Sequence, residues 1–185
     1  GSIITGSGVN TANGNIAIGN NAIGSNTTAS GNIAIGDRAM EDLGISNYNT
    51  AIGYQSLAGN TEGSDNTGVG KAALGANTTG SRNTAIGFEA NVGSNNLTNA
   101  TAIGAYAKVS TSNTIQLGAD GTAGSTAITN VKTTATLTAG TVTYPNTHGS
   151  NGQVLSTTGS GTLTWTTASA GISGVGTLTT TSYAN

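Results

Sequence analysis

The side chains that could do chemistry are few and scattered along the chain. His148 is the sole histidine, and the chain has no cysteine. The loop that contains it, from Tyr144 to Gly149, carries no acidic residue that could complete a catalytic triad or a zinc site. The sequence therefore predicts no catalytic residue, no metal ligand and no cofactor, which is the pattern of a chain that is not an enzyme.

Two glycine-containing patterns are weak signals for ligands. Asp120-Gly121 lacks the alternating acidic residues of a calcium loop, so we expect an ordinary turn there. Gly171, Gly174 and Gly176 do not have the spacing of a phosphate-binding loop. Neither pattern predicts a binding site.

Three aromatic residues are candidates for recognition or packing. Tyr54 and Phe88 each follow a glycine of one repeated motif, two repeats apart. They predict an exposed patch that contacts a glycan or a protein, or alternatively packing against a neighbouring subunit or loop. Trp165 is expected to anchor a small β-module near the C-terminal end of the sequence.

The composition is unusual for a compact globule. The 185 residues include 30 glycines, and 6% are charged and 4% aromatic, whereas ordinary domains carry about 25% charged residues. Few bulky side chains predict a thin core. The net charge of −2 leaves no basic stripe for nucleic acid. No apolar run reaches the roughly 18 residues of a membrane-spanning helix, so no membrane insertion is expected of this sequence.

A repeat of 17 residues organises most of the chain. Its consensus is N-T-A-I-G-x-x-A-L followed by a variable segment rich in Gly, Ser, Asn and Thr. The column glycines are Gly19, Gly36, Gly53, Gly70, Gly87 and Gly104. The residues before them are Ile18, Ile35, Ile52, Val69, Ile86 and Ile103. The asparagine column is Asn15, Asn32, Asn49, Asn66 and Asn83, and the alanine column includes Ala17, Ala34 and Ala51.

This period predicts an all-β solenoid with one coil per repeat. Seventeen residues are too few for a helix pair, and parallel stacking would place equivalent residues about 4.8 Å apart. Isoleucines would then stack on isoleucines, and asparagine amides could bond along a ladder. Each column glycine is expected at a bend that requires positive φ or close backbone approach.

Alternation along the strand separates two faces. Ile16 and Ile18 lie on one face and Ala17 on the other, and small residues suit a narrow interior. The threonine column at positions 50, 67, 84 and 101 is expected to face inward, and the charged residues outward. Asn91 and Lys108 replace the bulky residues of earlier coils, which suggests that the pattern frays there.

The repeat resembles the head of trimeric autotransporter adhesins of the YadA type. The segments Asn32-Ile33-Ala34-Ile35-Gly36 and Asn83-Thr84-Ala85-Ile86-Gly87 are similar to the repeated motif of that head. The resemblance implies a left-handed parallel β-roll of 17-residue coils that packs as a homotrimer. Burial of additional Ala and Ile surface by three thin rolls is a physical reason to expect such an assembly.

The remainder of the chain suggests a connector and a shaft. A segment similar to the neck of the same family is Ile128-Thr129-Asn130-Val131. Further along the chain, we expect two strands around a turn, at residues 152–155 and 161–165, which look like shaft segments of phage tail fibres. We therefore predict an N-terminal lead-in or cap (1–14), head coils (15–118), a neck-like connector (119–140) and a small β-rich shaft module (141–185).

These features predict a non-enzymatic, adhesive segment of a trimeric extracellular fibre. Its expected partners are two further copies of itself and a glycan or protein receptor on a host surface. One alternative is a receptor-binding or shaft segment of a phage or contractile-injection tail fibre. A second is a solenoid that binds ice or another ordered surface through the threonine column.

Overall fold

The protein is built from β-strands. A computed structural model describes residues 3–4, 14–25, 28–119, 137–140, 142–145, 148–157 and 159–167. No helix occurs among these residues, which confirms the all-β prediction. The chain divides into two compact units, Gly1–Thr129 and Asn130–Asn185.

Short strands repeat through the first unit, and most of them belong to one sheet. They are β1 (Ile3–Ile4), β2 (Ile16–Ile18), β3 (Ile33–Ile35), β4 (Thr50–Ile52), β5 (Thr67–Val69), β6 (Thr84–Ile86), β7 (Asn91–Val92), β8 (Thr101–Ile103), β9 (Lys108–Val109) and β10 (Ile115–Leu117). Eight of them form a parallel sheet in the order β1-β2-β3-β4-β5-β6-β8-β10, and β7 pairs with β9 in a second, two-stranded sheet.

The strands of the large sheet stack in register, as the period predicts. Ile35 lies opposite Ile52, which in turn lies opposite Val69. Five successive pairings from β2 to β8 have the 17-residue step, so the first unit is a β-solenoid of about six coils. The last pairing is shorter, because Ile115 lies opposite Thr101.

The interior of each coil is narrow, and the strand residues that point into it are small. The middle residue of each strand from β2 to β6 is fully or almost fully buried, while its neighbours are half-buried or exposed. Alanine occupies this place in most coils. A Cβ added to Gly68 would lie 2.6 Å from the Ser56 Oγ atom, so beside Ser56 the interior does not have space for even a methyl group.

Bulky core side chains come from the opposite wall of the coil, which is the segment that follows each column glycine. Ile23, Met40, Leu57 and Leu74 are at most 3% exposed. All four have left-handed backbone conformations, with φ between 51° and 53°. This conformation is uncommon for residues other than glycine. The stacked backbone therefore overrides the local preference of four bulky residues in order to fill the core.

The opposite wall changes its conformation in the later coils. Asn91 and Lys108 begin the paired strands β7 and β9, and the next residues, Val92 and Val109, are buried instead. The core position thus moves one residue along the chain. The pattern of the earlier coils thus changes at Asn91 and Lys108, as expected, but the two coils form an ordered parallel pair there.

The charged residues of the coils lie outside, as predicted. Asp37, Arg38, Lys71 and Glu89 are all exposed at the bend that follows the column glycine. The buried polar side chains of the described residues belong to asparagine and serine.

The second unit contains two antiparallel hairpins. Strand β11 (Leu137–Ala139) pairs with β12 (Val142–Tyr144), and β13 (Gln153–Thr157) pairs with β14 (Leu163–Thr167). The β13–β14 hairpin confirms the two strands and the turn expected between residues 152 and 165. A Cβ on Gly149 would lie 2.6 Å from the ring of the half-buried Trp165, so the loop passes close against this indole.

Candidate functional site

The structure does not bring the chemically active side chains together. His148 is exposed in the second unit. Among the residues that the structure describes, no group of three His, Asp or Glu side chains could hold a metal ion. Asp120, the neck-like segment 128–131 and the glycines at 171, 174 and 176 lie outside the described residues. The features that the structure does assemble are repeated columns of like residues.

The asparagine column is a buried ladder that joins successive coils. The Oδ1 atom of Asn32 accepts the backbone N–H of Asn49 at 2.8 Å, and the Oδ1 atom of Asn66 accepts that of Asn83 at 2.9 Å. The amide also donates: Asn66 Nδ2 lies 2.8 Å from the Gly80 carbonyl oxygen. Each of these asparagines is 0% exposed. The predicted amide ladder is therefore confirmed, and it bonds to the backbone as well as to other amides.

The ladder ends where the sequence pattern breaks. The backbone N–H of Ala100 still donates to Asn83 Oδ1 at 2.9 Å. Alanine has no side-chain acceptor to offer to the next coil, so this bond is the last of the series.

The column glycines make the bends between the two walls of each coil. Gly53 has φ of 131°, and a Cβ added to it would lie 2.6 Å from the carbonyl oxygen of Gly70 in the next coil. Both predicted reasons for glycine therefore hold at this position. The equivalent residues are Gly19, Gly36, Gly70, Gly87 and Gly104, all with φ between 116° and 138°.

An apolar stripe runs along the outer face of the large sheet. We call it the outer stripe, and it comprises the first and third strand positions of the coils. The third-position side chains are substantially exposed in most coils: Ile18 46%, Ile52 40%, Ile86 43%, Ile103 39% and Leu117 41%. The seven strands from β2 to β10 in this sheet lie about 4.8 Å apart, so the stripe is ~29 Å long. Contiguous apolar surface of this kind marks interaction sites.

The threonine column belongs to the outer stripe, which corrects the expectation that it faces inward. Thr50, Thr67, Thr84 and Thr101 are half-buried, and each stands two residues from an Ile or Val on the same face. The alanines point inward because the interior admits only small side chains at the strand. Side-chain volume thus decides which of the two apolar faces of the strand points into the interior of the coil.

An aromatic edge lies at the bend that follows the column glycine. We define it as Tyr54, Lys71, Phe88 and Tyr106. The three aromatic side chains are exposed by 41%, 38% and 45%. The rings of Phe88 and Tyr106 meet edge to face, with centroids 5.1 Å apart and planes at 73°. The Lys71 Nζ atom lies 5.0 Å from the Phe88 ring centroid.

The sequence pattern indicated only part of this edge. Tyr54 and Phe88 share one column, but Tyr106 stands one place further from its glycine, so a column search misses it. The contact arises because the backbone N–H of Tyr106 donates to the carbonyl oxygen of Phe88 at 2.8 Å. This bond places residues of adjacent columns beside each other.

One ion pair lies near the same bend. Arg38 Nε donates to Glu41 Oε2 at 2.7 Å. This hydrogen bond holds the pKa of the Glu41 carboxyl below its ordinary value, against the opposing effect of partial desolvation. Both side chains are partly exposed, at 44% and 21%, so we expect the pair to contribute little to stability.

Within the part of the chain that the structure describes, no helix has the length and apolar character needed to cross a membrane. Comparison with known proteins identifies no relative: no family model matches the chain, and no match to it is found among the curated proteins or the solved structures.

Proposed function

We propose that this chain is a non-enzymatic structural and adhesive segment of a trimeric extracellular fibre. The observation that carries the proposal is the outer stripe, in which the aliphatic side chain at the third strand position remains about two-fifths exposed in most coils. A solenoid with so thin a core gains stability by burying such a surface. Apolar burial contributes about 25 cal/mol per Å².

The straightness of the stripe favours association with copies of the same chain. Its residues lie in register from coil to coil, so the stripe runs along the solenoid rather than around it. Identical chains can then pack side by side about a common axis parallel to their length, with the same surface used by each copy. The number three and the left-handed roll come from the resemblance to YadA-type heads.

The attachment role is assigned to the exposed bends and variable segments. They vary from coil to coil while the buried columns stay constant, and recognition residues commonly occupy loops that a rigid scaffold positions. A tail-fibre role in a phage or injection apparatus would use the same coils, and the β13–β14 hairpin, which is similar to shaft segments of such fibres, supports that form of the proposal.

The outward position of the threonine column favours a second candidate, binding to ice or another ordered surface. Thr50, Thr67, Thr84 and Thr101 form a regular row beside Ile and Val. Ile16 and Ile33 interrupt the row at one end. Ice binding requires the stripe to be free, whereas a trimer covers it, so the two functions make opposite predictions about mass in solution.

The experiment is to measure the mass of the chain in solution by light scattering after size exclusion. We expect a species of three times the 17.9 kDa of one chain. The double variant Ile52→Glu, Ile86→Glu should be monomeric because it places charge in the stripe. Thr79→Glu, on an exposed loop, is the matched control and should remain trimeric.

Two results would count against the fibre. A wild-type chain that stays monomeric at all concentrations contradicts the proposal, and thermal hysteresis of that monomer would support the ice-binding candidate. A double variant that remains trimeric would show that another surface holds the assembly. Circular dichroism of each variant establishes that the β-solenoid is retained.

A further inference from the structure

The aromatic edge has a rigid frame. The backbone N–H groups of Ala72, Glu89 and Tyr106 donate to the carbonyl oxygens of the edge residues one coil before them, each at 2.8 Å. The acceptors are Tyr54, Lys71 and Phe88. This second ladder fixes the spacing of the edge residues, so their side chains project from ordered backbone rather than from a free loop. A preformed surface loses less entropy when a ligand binds.

The spacing of the rings is set by the coils. Tyr54 and Phe88 stand in the same column two coils apart, which separates their backbones by ~9.6 Å. This distance is comparable to the length of a disaccharide unit in an extended, β-linked hexose chain. The apolar C–H face of a sugar ring packs on an aromatic ring, so two aromatic side chains with this separation suit every second sugar of such a chain.

The polar groups along the edge suit hydroxyl groups. Lys71 lies between the two aromatic residues in the column and can donate hydrogen bonds. Glu89 and Gln55 occupy the adjacent column beside the rings and can accept hydrogen bonds from sugar hydroxyls. Large amphipathic rings flanked by such groups are typical of recognition surfaces.

The local charge argues against a polyanion. Three carboxylates, of Asp37, Glu41 and Glu89, and three cations, of Arg38, Lys71 and Lys108, lie within five residues after the column glycines. Arg38 is already paired with Glu41. The local charges therefore balance and the whole chain has a net charge of −2, so no excess of positive charge attracts sulfated or phosphorylated ligands.

We propose that the aromatic edge binds a neutral, extended, β-linked oligosaccharide, with Tyr54 and Phe88 stacking on sugars one disaccharide apart. Tyr106 supports Phe88 through their edge-to-face contact, and Lys71 donates to the sugar between the rings. This inference deepens the attachment role proposed above and rests on it. It names the class of ligand that the fibre would recognise on a surface.

The test uses the full chain and four probes in isothermal titration. Two of the probes are extended and β-linked: cellohexaose and its N-acetylated counterpart chitohexaose. The other two are maltohexaose, which is a coiled α-linked chain, and heparin, which is a polyanion. We expect at least one β-linked hexaose to bind and maltohexaose and heparin not to bind. Phe88→Ala and Tyr54→Ala should each weaken that binding by about tenfold or more. Tyr48→Ala is the matched control, because Tyr48 is 68% exposed outside the edge and should bind as the wild type does.

Several outcomes overturn the inference. The first two are a failure of both β-linked hexaoses to bind and binding of heparin alone. The others are an affinity for maltohexaose equal to that for the β-linked hexaoses, and an affinity for the β-linked hexaose that is unchanged in both Phe88→Ala and Tyr54→Ala. Mass measurement on the same samples separates the two proposals. A trimer that binds no glycan removes the edge as a glycan site and leaves the fibre, whereas a monomer that binds cellohexaose removes the trimer and retains the edge.

Discussion

At the scale of single residues, the asparagine column shows why one side chain recurs in every coil. A buried backbone N–H needs an acceptor, and in each coil the Oδ1 atom of the preceding asparagine supplies it. The same amide satisfies a carbonyl group with its Nδ2 atom, as Asn83 does with Leu97 at 2.7 Å. No other uncharged side chain except glutamine carries both a carbonyl acceptor and an N–H₂ donor, and glutamine is one methylene longer.

Asn66→Ala should therefore destabilise the solenoid strongly. It removes the acceptor of the buried Asn83 backbone N–H and one of the two donors to the Gly80 carbonyl oxygen, which keeps its hydrogen bond from Asn77 Nδ2. We expect a loss of about 2–4 kcal/mol in the free energy of unfolding. Urea denaturation at fixed protein concentration measures it. Asn96→Ala, on an exposed loop, should change stability by less than about 0.5 kcal/mol, and equal losses in both variants would contradict the ladder's role.

The backbone conformations are the part that the sequence did not reveal. The asparagine ladder follows from the period alone, because equivalent residues must stack. Positive φ at Ile23, Met40, Leu57 and Leu74 does not, because local preference opposes it in all four residue types. Only the stacked frame, in which neighbouring coils share hydrogen bonds, imposes this conformation.

The position before the asparagine column offers a stabilising substitution. Gly14 and Gly31 occupy it in the first coils with φ of 75° and 72°, whereas Arg82 adopts φ of 58° in a later coil. Arg82→Gly relieves a left-handed conformation that costs about 1–2 kcal/mol, and the greater entropy of glycine in the unfolded chain offsets about 0.4–1 kcal/mol of that gain.

The net effect expected of Arg82→Gly is a gain of about 0.5–1 kcal/mol in the free energy of unfolding. Arg82→Ala is the control, because it removes the same side chain and keeps the Cβ that causes the strain. The two variants should differ in urea midpoint, with glycine the more stable. The prediction is wrong if alanine is equal to or more stable than glycine.

At the scale of the elements, the side-chain volumes of the two walls of a coil compensate for each other. In most coils, the middle of the strand and the third residue after the column glycine are both buried alanines. In one coil the strand has Gly68 and the opposite wall has Ser56, whose Oγ atom donates to Gly68 O at 2.9 Å. The added hydroxyl occupies the place of the missing methyl group.

This exchange predicts a non-additive pair of substitutions. Gly68→Ala follows the repeat consensus but places its Cβ 2.6 Å from Ser56 Oγ, so it should cost about 1–3 kcal/mol. In the double variant Ser56→Ala, Gly68→Ala the clash with Ser56 Oγ disappears and only the tight contact with the Ala73 carbonyl oxygen at 3.0 Å remains, so most of the loss should be recovered. A double-mutant cycle by urea denaturation should give a coupling free energy of about 1 kcal/mol or more. Additive losses would rule out the compensation.

At the scale of the whole molecule, the period predicted the architecture but not which face is outside. Strand alternation defines two faces, and both are apolar here, so hydrophobic pattern alone cannot assign them. The distance between the walls assigns them, because alanine fits inside and isoleucine does not. That distance depends on the opposite wall, whose left-handed residues could not be anticipated. The error over the threonine column has this origin.

The stability of the coils should be nearly independent of pH across the neutral range. Their buried side chains are hydrocarbons, amides and hydroxyls, so no buried side chain in the described coils gains or loses a proton on unfolding. The pKa of the Glu41 carboxyl is lowered, chiefly by the hydrogen bond from Arg38. A lowered folded-state pKa stabilises above the unfolded value and loses that effect as pH falls through the folded value.

The melting temperature should therefore stay constant from about pH 9 to about pH 5 and decline slightly below the ordinary pKa of glutamate. Thermal unfolding followed by circular dichroism at fixed concentration measures this profile. Glu41→Gln should flatten the acid decline and lower the plateau by the same small amount, because the stability lost when Glu41 is protonated is the stability that its ion pair supplies at neutral pH. A steep fall between about pH 7 and about pH 5 in both proteins would contradict the prediction, because it requires a group that titrates near neutrality and is coupled to folding or to the contact between copies.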